Sequence, residues 1–217
     1  MLNCTVQFRL SLGLSCVLWL SSVIAQSSQT GVVSARSADA PASIGILVDN
    51  SKSMLRSRKA VVPALQKLVD ATNAADEFFV VNFSDSPYLD QDFSTDHGLI
   101  DKALAKPFIG RGTAFYDAVG DSSVHLRQGA KFKKHVLIIV SDGEDDESNV
   151  PAEKMFRELQ QPGGPVVFCV VPVTPVPKGE RILEKMAKET AGKVYRAKDP
   201  GELTRALADL AGDIRDM

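Results

Sequence analysis

The chain has 217 residues, 44% hydrophobic and 24% charged, with a formal net charge of −2. That length and balance suit one globular domain with a packed core and a soluble surface. No basic stripe stands out, so the electrostatic footprint of a nucleic-acid binder is missing.

The amino-terminal residues have the pattern of an export signal. Arg9 is the only charged residue before Arg36, residues 10–20 form a short apolar stretch, and Val23-Ile24-Ala25 before Gln26 fits a small-x-small cleavage site. The stretch is shorter than the about 20 apolar residues a spanning helix needs. A signal peptide is therefore expected over residues 1–25, with no membrane span once it is removed and a periplasmic or extracellular destination. Gly13-Leu14-Ser15 before Cys16 is a poor match to a lipoprotein signal. Residues 26–41, rich in Ser, Ala, Thr and Gly, read as a flexible linker. Loss of the signal would take Cys4 and Cys16 with it and leave Cys169 alone. Cys169 lies in an apolar run, where it is expected to act as a buried small hydrophobe.

From residue 42 strands and helices alternate. Residues 43–49 are apolar and short enough for a buried strand. Val61, Leu65, Leu68 and Thr72 follow a helical spacing, which predicts a helix over 56–73. Pro63 should kink it or restart it, with the proline in a first turn. Residues 77–83 (EFFVVNF) predict a second strand, and 87–93 a short edge strand with Pro87 at its start. Thr95 is placed to cap a helix running to about 105. A loop follows over 107–112, then a helix over 114–127. Residues 136–140 (VLIIV) predict a central strand covered on both faces. A helix over 151–161, a strand over 165–173, a helix over 180–190, a short strand over 193–196 and a helix over 201–215 complete the pattern. Repeated β-α-β units give an α/β fold, doubly wound, with a mostly parallel sheet flanked by helices on both faces.

Asp49-Asn50-Ser51-Lys52-Ser53 follows the first strand directly. A strand tip that presents one carboxylate and two hydroxyls gathers hard oxygen donors, which Mg²⁺, Mn²⁺ and Ca²⁺ prefer. In an open α/β sheet the carboxyl ends of the strands are also where ligands bind. The central strand ends in Ser141-Asp142-Gly143-Glu144-Asp145-Asp146, so Asp142 leaves the same edge if the two strands are parallel neighbours. Gly143 permits a sharp turn there. Thr113, in Gly110-Arg111-Gly112-Thr113 before a helix, can cap that helix or reach a metal. Taken singly, Ser51, Ser53 and Thr113 are ordinary caps or turn residues; their joint placement at three strand-to-helix junctions is what points to a site.

Three segments in order, ILVDNSKSM (46–54), GRGTAFYDAV (110–119) and VLIIVSDGEDD (136–146), resemble the metal-ion-dependent adhesion site of von Willebrand factor type A domains, and the likeness covers most of 43–215. It implies that residues 42–217 form such a domain, of the exported bacterial kind. It further implies a Mg²⁺ site (or Mn²⁺ or Ca²⁺) built from Asp49, Ser51, Ser53, Thr113 and Asp142. Ser51 and Ser53 would bind through their hydroxyls, Thr113 directly when a ligand is engaged, and Asp49 and Asp142 mainly through water. The partner would be a protein presenting Asp or Glu to the ion, and the chain a monomer. The pattern departs at Asn50, where Thr or Ser is frequent, and at Lys52, where Gly is common. Lys52 is expected to point into solvent. The run Glu144-Asp145-Asp146-Glu147 is expected to be a solvated acidic lip.

The residues leave three other readings to weigh. A metal-dependent hydrolase needs a general base, and His97, His125 and His135 all lie outside the three loops; Glu144 is the only plausible base. A nucleotide-binding domain would need the glycines of a pyrophosphate loop after the first strand, and they are missing. A structural module with an idle metal site fits the residues as well. The favoured expectation is a non-enzymatic, metal-dependent adhesion or scaffolding module.

Overall fold

A computed structural model describes residues 40–106, 110–172 and 177–217. The expected signal peptide, nearly all of the expected linker, and parts of the loop over 107–112 and of the strand over 165–173 lie outside them. The six strands are β1 (Ala42–Asp49), β2 (Glu77–Phe83), β3 (Pro87–Ser94), β4 (Lys134–Val140), β5 (Val166–Val171) and β6 (Lys193–Arg196). The six α-helices are α1 (Arg58–Ala71), α2 (His97–Ala105), α3 (Phe115–Gly129), α4 (Ala152–Leu159), α5 (Pro177–Glu189) and α6 (Pro200–Asp216). A 3₁₀ turn over Lys52–Met54 links β1 to α1.

The strands form one sheet in the order β3-β2-β1-β4-β5-β6. All neighbours are parallel except β2 and β3, which are antiparallel. Side chains on a strand alternate between faces, and β1 shows the result. Ile44, Ile46 and Val48 enter the core under α1, α2 and α6, beside Leu65, Leu104 and Leu207. Leu47 enters the opposite core, under α3, α4 and α5, with Val119, Met155 and Met186. Cys169 belongs to the second core and is fully buried. The doubly wound α/β sheet expected from the alternation of elements is the one observed.

Two local readings are overturned, the restart at Pro63 and the cap at Thr95. Pro63 does not restart a helix: α1 begins at Arg58 and continues through the proline. Packing of Val61, Leu65 and Leu68 on the sheet outweighs the one donor that Pro63 lacks. Thr95 does not cap α2. Asp96 does, its Oδ1 accepting from the backbone N–H of Gly98 at 2.8 Å and of Leu99 at 3.3 Å. A carboxylate there also meets the positive end of the helix dipole, an advantage a threonine lacks.

Gly45 sits at the crowded centre of β1. A Cβ there would stand 2.3 Å from Phe79 Cζ and 2.6 Å from Leu137 Cδ2. Its absence lets these two side chains of the flanking strands close over β1. Gly45→Ala is therefore expected to destabilise the fold by about 1–3 kcal/mol through overpacking. Urea unfolding followed by circular dichroism measures this, and an unchanged midpoint would mean that the two side chains repack freely.

Candidate metal centre

The site follows from strand register. β1 and β4 run parallel with Val48 opposite Val140. Asp49 and Ser141 therefore leave the sheet side by side, and Ser141 Oγ donates to Asp49 Oδ2 at 2.6 Å. Asp142 follows at once and is buried, as is Asp49. The chain then turns at Gly143, whose φ of +78° suits glycine. A Cβ on Gly143 would also meet the carbonyl oxygen of Gly179 at 2.6 Å, so the start of α5 closes on this turn.

The other carboxylate oxygen of Asp49, Oδ1, accepts from the backbone N–H of Ser51 at 2.8 Å. This bond folds the chain back as it leaves β1, and the 3₁₀ turn then sets the Ser51 and Ser53 hydroxyls 3.1 Å apart. Asn50, a non-ligand in the sequence pattern, anchors the turn from below. Its backbone N–H donates to Phe83 O at 2.8 Å, its amide donates to Asn82 Oδ1 at 2.8 Å, and its own Oδ1 accepts from Arg58. Asn82 in turn donates to Asp90 at 2.8 Å and to the Ala103 carbonyl at 3.0 Å. A buried polar chain thus ties the Asp49–Ser53 turn to β2, β3, α1 and α2.

Thr113 approaches from the third junction. Asp85 Oδ1 accepts from the N–H groups of Arg111 at 2.9 Å and Gly112 at 2.5 Å, and Ala114 N–H donates to Ser84 O at 2.5 Å. The glycines are needed for contact: a Cβ on Gly110 would fall 2.0 Å from Ser84 Oγ, and one on Gly112 would fall 2.2 Å from Glu147 Cγ. The N–H of Thr113 donates to Asp146 Oδ1 at 2.6 Å, while its carbonyl accepts from Asp146 N–H at 3.0 Å and Glu147 N–H at 3.2 Å.

The acidic lip is therefore more than a solvated loop. Asp146 fixes Thr113, and Asp145 Oδ1 accepts from the N–H of Tyr116 in the first turn of α3 at 3.1 Å. Asp117 answers from α3, accepting from the N–H groups of Asn149 at 2.8 Å and Val150 at 3.1 Å. Charge near a helix amino terminus is favourable, and bonds to ionised groups are stronger than neutral ones. Of the four acidic residues, Glu144 and Glu147 take no part in these bonds through their side chains. Asp85, Asn82 and Asp117 were missed in the sequence; the signal for Asn82 was an amide inside an otherwise apolar strand.

A cleft of about 660 Å³ opens over this rim, lined by Ser51, Ser53, Thr113 and Glu144 with Lys52 and Arg111 at its side. Ser51, Ser53 and Thr113 thus share one cleft; Asp49 and Asp142 are buried and do not line it, and Asp49 is tied to it through the Ser51 N–H. Lys52 is exposed but borders the cleft. Among the described residues no three His, Cys, Asp or Glu side chains are grouped to hold a metal ion. The donor set here is instead two carboxylates and three hydroxyls, all hard oxygens, which fits a hard divalent cation. The state of Asp49 fits it as well. Burial pushes its carboxyl up from the ordinary 3.8 to about 6, against the hydrogen bonds from Ser141 and Ser51, and Asp142 raises it further. Among the described residues no lysine or arginine offsets this charge; a bound cation would.

The fold and the rim define an α/β domain with an oxygen-lined cleft at the carboxyl end of its sheet. The family model of the von Willebrand factor type A domain matches residues 43–209, and the chain belongs to that family. No curated protein sequence matches it. Among solved structures it is similar to a von Willebrand factor type A protein from Catenulispora acidiphila, with a TM-score of 0.69 at 17% identity over 81% of this chain and 43% of that one. It is also similar to the conserved hypothetical protein BatB from Bacteroides thetaiotaomicron, with a TM-score of 0.64 at 16% identity over 81% of this chain and all of that one. A third is the pilus adhesin SpaC from Lactobacillus rhamnosus GG, with a TM-score of 0.63 at 16% identity over 81% of this chain and 30% of that one. The chain thus spans less than half of the Catenulispora protein and of the adhesin.

The raised Asp49 carboxyl has a consequence without divalent cations. The folded state holds this proton more tightly than the unfolded state, so stability falls as pH rises from about 4 to about 6 and the full cost is present above that. The difference between 3.8 and about 6 is worth about 3 kcal/mol. In chelator, Asp49→Asn should therefore gain on the natural chain by up to about 3 kcal/mol between pH 4 and pH 7. Urea titrations at several pH values test this, and a difference between the two that is flat with pH would return Asp49 to an ordinary carboxyl.

Proposed function

We propose that this chain is a non-enzymatic protein-binding module of adhesion or scaffolding type, which engages an acidic group of its partner through a divalent cation. Asp49, Ser51, Ser53, Thr113 and Asp142 would hold Mg²⁺, or Mn²⁺ or Ca²⁺ in its place. The ion supplies a positive centre to which a carboxylate from another protein can bind. The observation that carries this reading is the buried Asp49 carboxylate, with no basic side chain against it among the described residues, bonded to the turn whose paired hydroxyls line an open cleft. With Asp49 and Asp142 acting mainly through water, the direct protein donors would be neutral hydroxyls, which leave positive charge at the ion and favour an acidic partner. One structural relative is a pilus adhesin, which is in keeping with the reading.

The surroundings favour binding over catalysis. His97 bonds Asp70 at 3.2 Å, His125 bonds Asp92 at 2.9 Å and His135 bonds the Gly163 carbonyl at 2.7 Å, and none borders the cleft. Asp146 is engaged by Thr113, which leaves Glu144 as the carboxylate that a hydrolase would have to use as base. We further propose that the protein acts as an exported monomer, in the periplasm or outside the cell. No helix among the described residues is long and apolar enough to cross a membrane.

Thermal melts in EDTA and then in Mg²⁺ or Mn²⁺ test the centre. An ion at 100 times its dissociation constant should add about 2.7 kcal/mol of stability. Asp49→Ala should abolish that gain, and Ser53→Ala and Thr113→Ala should weaken it while still folding in EDTA. No gain with any divalent ion refutes the centre. A gain accompanied by phosphatase or esterase turnover, lost in Glu144→Gln, would make the protein an enzyme.

A further inference from the structure

The side of the cleft formed by the β1–α1 connection is basic. Lys52 and Arg56 border it there, and Arg111 borders it from the Thr113 loop. All three are exposed. Among the described residues none of their side chains takes part in an ion pair, although eight such pairs involve other residues. Glu144 and Asp146 also line it, and Asp146 is already committed to the N–H of Thr113. Asp49 and Asp142 would offset a bound divalent ion, so the charged residues that line the cleft are three basic and two acidic. The chain as a whole has the reverse balance, with a net charge of −2.

We infer that the partner is a segment with clustered carboxylates, in which one acidic side chain meets the ion and its neighbours meet Lys52, Arg56 and Arg111. The inference rests on the proposed metal centre and adds a second recognition element to it. A single carboxylate satisfies only the ion. The space available exceeds what one side chain fills, and Leu55, 37% exposed on the same wall, offers apolar contact to the stem of the segment. Unpaired, exposed basic side chains bind an acidic segment without first giving up an internal partner. They also draw it in from a distance, so association should weaken steeply with salt. Lys52, which stands outside the set of metal donors, becomes a specificity residue on this account.

The test uses the full chain in Mg²⁺ or Mn²⁺ and two fluorescent peptides, hexaglutamate and a peptide with one Glu among five Gln. Fluorescence anisotropy should show hexaglutamate bound about tenfold more tightly. The triple variant Lys52→Gln, Arg56→Gln, Arg111→Gln should bring the two peptides to parity, leave the single-Glu peptide within about twofold, and keep the thermal shift given by the ion alone. Equal binding of the two peptides by the natural chain, or a preference that survives the triple variant, overturns the inference while the ion's thermal shift still stands. Displacement of hexaglutamate by pyrophosphate at lower concentration than by unlabelled hexaglutamate would assign the basic wall to phosphates and overturn it too. Loss of the ion's thermal shift in the natural chain is the separate failure, that of the metal centre.

Discussion

The pairing of β1 with β4 is the constraint on which the rest of the site depends. Parallel strands in register deliver their final residues to the same edge, and here those residues are Asp49 and Ser141, with Asp142 next. Sheet burial then removes water from the Asp49 carboxylate and leaves it only neutral donors, the Ser51 N–H and the Ser141 hydroxyl. A carboxylate in that position is costly alone and valuable to a cation. The fold thus sets up an unfavourable charge and holds two hydroxyls close to it. Both cores contribute, because each face of β1 is clamped by three helices.

The loops around this edge are held by polar bonds rather than by apolar packing. Asn50 and Asn82 secure the first turn, Asp85 secures the glycine-rich loop, and Asp145 and Asp146 secure Thr113 and the start of α3. Nearly every one of these bonds joins a side chain to backbone. The donors of the rim can therefore be positioned without filling the cleft, whose lining stays open to a partner. That lining carries charges of both signs, Glu144 and Asp146 together with Lys52, Arg56 and Arg111.

The fold could be read from the sequence because its signals are periodic and local. The run VLIIV allowed only a buried strand, and the alternation of apolar strands with amphipathic helices allowed few topologies. Helix ends were harder. Asp96 outcompetes the neighbouring Thr95 by charge, a contest invisible to spacing, and α1 tolerates Pro63 because of tertiary packing. The five proposed oxygen donors stand out in the sequence because each lies at a strand-to-helix junction. What holds them could not. Asn50 reads as a spacer and the acidic run as a solvated lip, since the partners that fix them across the fold, Asn82 and Tyr116, lie at least 29 residues away in sequence. Bonds between distant loops leave no periodic trace.

One feature of the rim extends beyond it. Thr113 is bonded through both its N–H and its carbonyl to residues 146 and 147, and Asp117 is bonded to residues 149 and 150. These reciprocal bonds weld two connections, the one entering α3 and the one entering α4, into a single plate. A ligand that draws Thr113 inward cannot move it alone; it must carry the leading ends of both helices. The position of Thr113 at the sheet edge is thereby coupled to the leading ends of both α3 and α4.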